Sequence, residues 1–179
     1  MVDEPTHKPK RLETAFMDAM SVLVLCLMGF IVLQVFCSFL DLNPLVSFAR
    51  KWPFFGQAIT LNSLLDLQWH LLAVISLLPA GYVWWIDGHV RVDFLYSNYG
   101  PKGRAGADLI GNIVFALPFL IVSIPAAYRF ALRSFVSGEG SRNGGLNALF
   151  IIKSLLPLGL SVLLVFVALD CWRLLRGAR

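Results

Sequence analysis

The chain is poor in charge. Asp, Glu, Lys and Arg make up 15% of its 179 residues, where a soluble domain carries about 25%. That deficit excludes an ordinary water-soluble domain. Cysteine is scarce as well: Cys26, Cys37 and Cys171 all lie in or beside apolar runs. The first two would stand roughly 16 Å apart along a helix, too far to bridge. With no CxxC pair and no Cys/His cluster, three free, inert thiols are expected. The histidines are His7, His70 and His89. His70 and His89 bracket one apolar run, roughly 28 Å apart along a helix, which excludes a shared haem. No stretch matches the phosphate loop GxxxxGK(S/T), no paired carboxylates share a mid-membrane position, and no spacing suggests a Ser/His/Asp set. Neither catalytic residues nor a cofactor or metal site are expected.

What the chain has is hydrophobic length. It is 58% hydrophobic, with a mean hydropathy of +0.72. Four apolar runs, approximately 16–40, 64–86, 107–130 and 149–171, each reach the ~20 residues that cross a bilayer. These runs predict an all-α membrane protein with four transmembrane helices in a single domain, 1–179. The first run is longer than the ~7–15 apolar residues of a secretory signal, and Phe39-Leu40-Asp41 is a poor cleavage site, so a retained span is expected.

The formal charge is +4. With no basic-aromatic surface strand, this excess reads as loops meeting anionic membrane lipid, and no nucleic-acid partner is expected. Four spans put both termini and the 87–108 loop on one side, which holds nine of the fifteen Lys and Arg. The positive-inside rule then places both termini in the cytoplasm.

Short amphipathic pieces are expected between spans. Leu45, Phe48, Ala49 and Trp52 follow helical spacing, which predicts an interfacial helix ended by Pro53; an irregular loop with aromatic anchors is the other reading. Val92, Leu95, Tyr96 and Tyr99 predict a second interfacial helix. Pro79 with Gly81, and Pro118 with Pro125, mark kinks. The glycine-rich 131–148 stretch reads as a loop.

Polar residues concentrate at span ends. Asp66, Gln68, Trp69 and His70 crowd the start of span two, and Lys153 lies near the start of span four. Asp66 and Lys153 would sit at similar depth, so an ion pair with His70 nearby is expected, against the alternative that both reach water. Gln34, in span one, bonds either another helix or its own backbone and water. Between spans two and three runs Asp-Gly-His-Val-Arg-Val-Asp, residues 87–93. Its His89, Arg91 and Asp93 either clamp a partner's loop or fix the turn. Together these residues are candidate partner or structural contacts in a subunit that supports another protein. A cytochrome-like redox subunit and a self-sufficient small transporter are the rival readings.

The run Gly88-His89-Val90-Arg91-Val92-Asp93, with Leu67-Gln68-Trp69-His70 before it and Leu95-Tyr96, Pro101, Arg104 and Asp108-Leu109 after it, resembles the small permease subunit of tripartite ATP-independent periplasmic (TRAP) transporters. Gly138-Glu139-Gly140-Ser141, Gly144-Gly145-Leu146 and Ile152-Lys153 through Gly159 are similar to the branch associated with mannitol, chloroaromatic compounds or 2-oxo acids. One departure is Asp66, where members often carry Glu. The resemblance implies a non-catalytic subunit in a bacterial inner membrane. Its partners would be a large elevator-type permease subunit and an extracytoplasmic substrate-binding protein. Transport of organic acids would be driven by sodium, with this subunit as scaffold.

Overall fold

A computed structural model of the chain describes residues 11–89, 96 and 98–176. Helix α1 (Arg11–Phe39) is apolar around its circumference. After Glu13 in the first turn, its less exposed residues are Phe16, Met20, Leu23, Leu27, Phe30, Gln34 and Cys37, spaced alternately four and three apart. That spacing makes one narrow stripe, the seam by which a helix meets a single neighbour. The neighbour is α2 (Leu61–Leu77), and the seam ends where Phe16 meets Tyr82 edge to face, 5.9 Å between centroids.

The second span is broken, as its Pro79 and Gly81 predict. Proline has no N–H to donate to the preceding turn. The chain leaves α2 at Leu77 and resumes as α3 (Ala80–Trp85). Gly81 then lets the last span approach: a Cβ there would lie 2.5 Å from the Phe166 ring. Small residues at such crossings permit close helix packing in lipid.

The third helical segment starts earlier and ends later than its apolar run, covering Pro101–Val136. It consists of α4 (Pro101–Gly111), a π turn (Asn112–Ala116) and α5 (Leu117–Val136). At the end of the π turn the Leu117 N–H donates to the Asn112 carbonyl, one residue wider than in an α-helix, and Pro118 follows at once. At 36 residues the segment is about 54 Å long, well over the ~30 Å hydrocarbon core. Helix α6 (Phe150–Leu175) closes the fold.

Helix α1 packs on α2, α2 and α3 pack on α6, and α6 packs on α4, the π turn and α5. The four spans therefore form a row in the order one, two, four, three. The central cluster of buried residues is Leu120, Val167 and Cys171, with Trp84 and Leu160 against it.

The connection after α1 is a correction. Residues 45–52 do not form an interfacial helix. They pair as an antiparallel hairpin, β1 (Val46–Trp52) with β2 (Gly56–Ile59), in the register Val46–Ile59, Ser47–Ala58 and Trp52–Gly56, irregular in between. In so short a run, helical spacing coexists with the strand alternation Val46, Phe48, Trp52. The hairpin wins because Gly56 turns the chain back at φ +71° and the 137–149 loop holds the Phe54 carbonyl, whereas Pro53 would end a helix as readily as a strand. The second interfacial helix, expected over 92–99, falls mostly outside the described residues.

Candidate functional site

Most polar side chains gather towards the two ends of the helices. At the hairpin end, Thr60 caps α2: its hydroxyl accepts from the Ser63 N–H at 3.2 Å, and the Ser63 hydroxyl accepts from the Thr60 N–H. One turn on, the Asp66 Oδ2 accepts the backbone N–H of Leu146 at 3.0 Å. Asn62 Nδ2 donates to the Asn143 carbonyl at 2.6 Å, and the Thr60 hydroxyl to that of Gly144 at 3.2 Å. The first turns of α2 thus hold the 137–149 loop. Gly145 is buried under the Asp66 carboxylate, which a Cβ there would overlap. The Asn147 N–H donates to the Phe54 carbonyl at 2.8 Å, tying the hairpin turn to the same loop.

The expected Asp66–Lys153 pair is not formed. Lys153 pairs with Glu139, and its ammonium lies 4.3 Å over the Phe130 ring. Glu139 is only 14 residues before Lys153, so a short loop brings the two together. Asp66 meanwhile takes a backbone donor. The Lys153 hydrogen bond holds the Glu139 carboxyl below its ordinary pKa.

His70 faces inward. Its Nδ1 is 2.5 Å from the Asp66 carbonyl, so Nδ1 carries the proton and donates. Its ring meets Phe54 edge to face, and its Nε2 is buried with no hydrogen-bond partner among the described residues. Gln68 Nε2 donates to Gln34 Oε1 at 2.7 Å and to the Phe30 carbonyl at 3.1 Å. This answers the open question at Gln34: it meets another helix. Trp69 alone of the group is 63% exposed.

At the other end, His89 Nε2 is 3.3 Å from the Ala80 carbonyl and its ring is 5.7 Å from Trp84. Arg91 and Asp93 lie outside the described residues. Tyr96 donates to Asp108 Oδ2 at 2.8 Å, and Arg104 Nε to the Tyr99 carbonyl at 2.9 Å. The Arg173 guanidinium stacks 3.2 Å from the centroid of Trp85. A cavity of about 830 Å³ opens here, lined by Trp84, His89, Tyr96, Asn112 and Asp170 among others. Sequence reasoning missed two of these. Asn112, on the π turn, donates to Asp170 Oδ2 at 3.1 Å, and both residues are buried. Their signal was available, because a carboxylate and an amide inside apolar runs are costly unless paired.

Chemically, these groups mostly satisfy one another. They fix helix ends and loops, and among the described residues no three His, Cys, Asp or Glu are grouped to hold a metal. Comparison with curated proteins finds no match. The family model described as "Tripartite ATP-independent periplasmic transporters, DctQ component" matches residues 47–177. Proteins of this family work with a large permease subunit and a periplasmic binding protein. The chain therefore belongs to the DctQ family: it is a small multi-pass subunit of a TRAP transporter in the inner membrane, a transport component and not an enzyme.

Proposed function

We propose that this subunit is the fixed scaffold of a sodium-driven transporter for organic acids, enlarging and anchoring an elevator-type large permease. The observation that supports this reading is the open row of helices. In each span's most apolar window only 6–11% of residues are buried, which leaves apolar faces for lipid and for a partner. Polar pairs sit towards the ends of the helices. The aromatic residues Trp52, Trp69, Trp172 and Tyr99 are exposed near those ends, where they resist tilting. We assign Trp69 to contact with the partner or lipid, and Asp66, Gln68, His70 and Lys153 to holding this subunit's own elements. His89, whose ring lies against Trp84 and beside the Ala80 carbonyl, is assigned to the turn after span two. Both termini are proposed to be cytoplasmic. The substrate class, in the branch for mannitol, chloroaromatic compounds or 2-oxo acids, rests on the resemblance of the 138–159 stretch.

Liposome uptake tests the reading. The large permease with this subunit and the binding protein takes up substrate when a sodium gradient is applied. This subunit alone does not. Uptake by the isolated chain would overturn the proposal.

A further inference from the structure

At the end of the helices opposite the hairpin, two arginines have their guanidinium groups placed by aromatic rings. The Arg173 guanidinium carbon lies 3.2 Å from the centroid of Trp85, and that of Arg176 lies 4.0 Å over Trp172. The Trp85 ring is itself met by Phe166 of α6, 5.8 Å between centroids. Arg176 caps α6, and its backbone N–H donates to the Trp172 carbonyl at 3.2 Å. Stacking occupies the face of a guanidinium and leaves its N–H groups in the plane, pointing outward. Both arginines are exposed, and their side chains make no hydrogen bond or ion pair among the described residues. Asp170, three residues before Arg173, meets Asn112 across the helices. The carbonyls at the end of α6 account for basic residues there. They do not account for two guanidinium groups held on rings with their donors unused.

The surroundings say which anion fits. Both arginines follow directly on the apolar run 149–171, and Trp85 ends the neighbouring span. They therefore stand at the hydrocarbon boundary, where a charge partly withdrawn from water gains from a counter-charge. Apolar surface leads up to them. Val165, Leu169 and Trp172 are 57%, 40% and 52% exposed. They recur four and three residues apart, with Arg176 four beyond, so they form one track along α6. A phospholipid supplies both parts, a phosphate that matches the guanidinium fork and hydrocarbon that covers the track. Two uncompensated positive charges favour a headgroup of net negative charge.

We infer that an anionic phospholipid binds here, its phosphate at Arg173 and Arg176 and an acyl chain along the track from Val165 to Trp172. The site does not rest on the scaffold reading; either could fail alone.

The test uses the full chain, isolated with the subunits that accompany it and exchanged into phosphatidylglycerol or phosphatidylcholine. Retained lipid is read by native mass spectrometry. Wild type is expected to keep an additional phosphatidylglycerol and to keep phosphatidylcholine poorly. Arg173→Gln and Arg176→Gln each lower retention about tenfold, the effect of one charge-assisted hydrogen bond. Trp172→Leu, which keeps both charges but removes a ring, also lowers it. Lys102→Gln removes an exposed base at the same end and leaves retention unchanged. Equal retention of the two lipids, full retention in both arginine variants, or an equal loss in Lys102→Gln would overturn the inference. So would a carbodiimide cross-link from Arg176→Lys to a carboxylate of another subunit.

Discussion

Asp66 shows how one carboxylate sets a loop. Its acceptor oxygen meets the Leu146 N–H, and its bulk requires glycine at 145. Removing the acceptor in Asp66→Ala leaves that N–H without its partner and is expected to cost about 1–3 kcal/mol. Gly145→Ala is expected to be comparably damaging, and the double variant less than additive, because both changes disturb one contact. Thermal unfolding in detergent reads all three; strict additivity would contradict the shared contact. Glu139 adds a pH signature. An acid with a depressed folded-state pKa contributes stability that is present above its ordinary value and lost as pH falls through the depressed one. The ordinary value is 4.5 and Lys153 lowers it. The 137–149 loop is therefore expected to hold at neutral pH and to loosen only below about pH 4.5, read by hydrogen exchange at the Leu149 amide, which donates to the Glu139 carbonyl. In Lys153→Gln that amide exchanges faster at neutral pH; unchanged exchange would argue against the clamp.

Elements differ in how far local sequence controls them. Each of the four spans was legible because twenty apolar residues in lipid have few alternatives to a helix. The break at Pro79 was legible for the same kind of reason, a missing donor. Residues 46–59 were not, since a seven-residue strand and a two-turn helix share apolar positions. Only the docking of Phe54 on Asn147 and the turn at Gly56 decide between them. The Asp66 partner was hidden for another reason. Matching charges by depth cannot see a backbone amide supplied by a distant loop. Asn112 and Asp170 escaped notice although their types were informative, because the π turn that places Asn112 leaves no mark in composition. At this scale, Gly81→Val is expected to push α3 from α6 and destabilise the fold by about 1–3 kcal/mol through overpacking. Gly106→Ala is the control: at Gly106 a Cβ meets nothing within 4 Å. Equal stability of the two variants would contradict the close crossing.

The whole molecule is a row of four helices with both faces largely uncovered. In water that would be an aggregation hazard; in a bilayer it is an extension of whatever the row packs against. Helix α1, attached by one seam and the Gln34–Gln68 bond, is its most peripheral member. Gln68→Ala is expected to weaken that attachment by about 0.6–2 kcal/mol. A disulfide trapped between cysteines placed at positions facing across the α1–α2 seam would then form less completely; undiminished cross-linking would show that the apolar seam suffices.

The central claim is that this subunit exists to hold a larger one. The most direct measurement is gentle-detergent isolation of the tagged chain from its native membranes, with mass spectrometry of what accompanies it. A multi-span permease recovered in stoichiometric amount is the result the account predicts. A chain that emerges alone, stable and monodisperse, would contradict it.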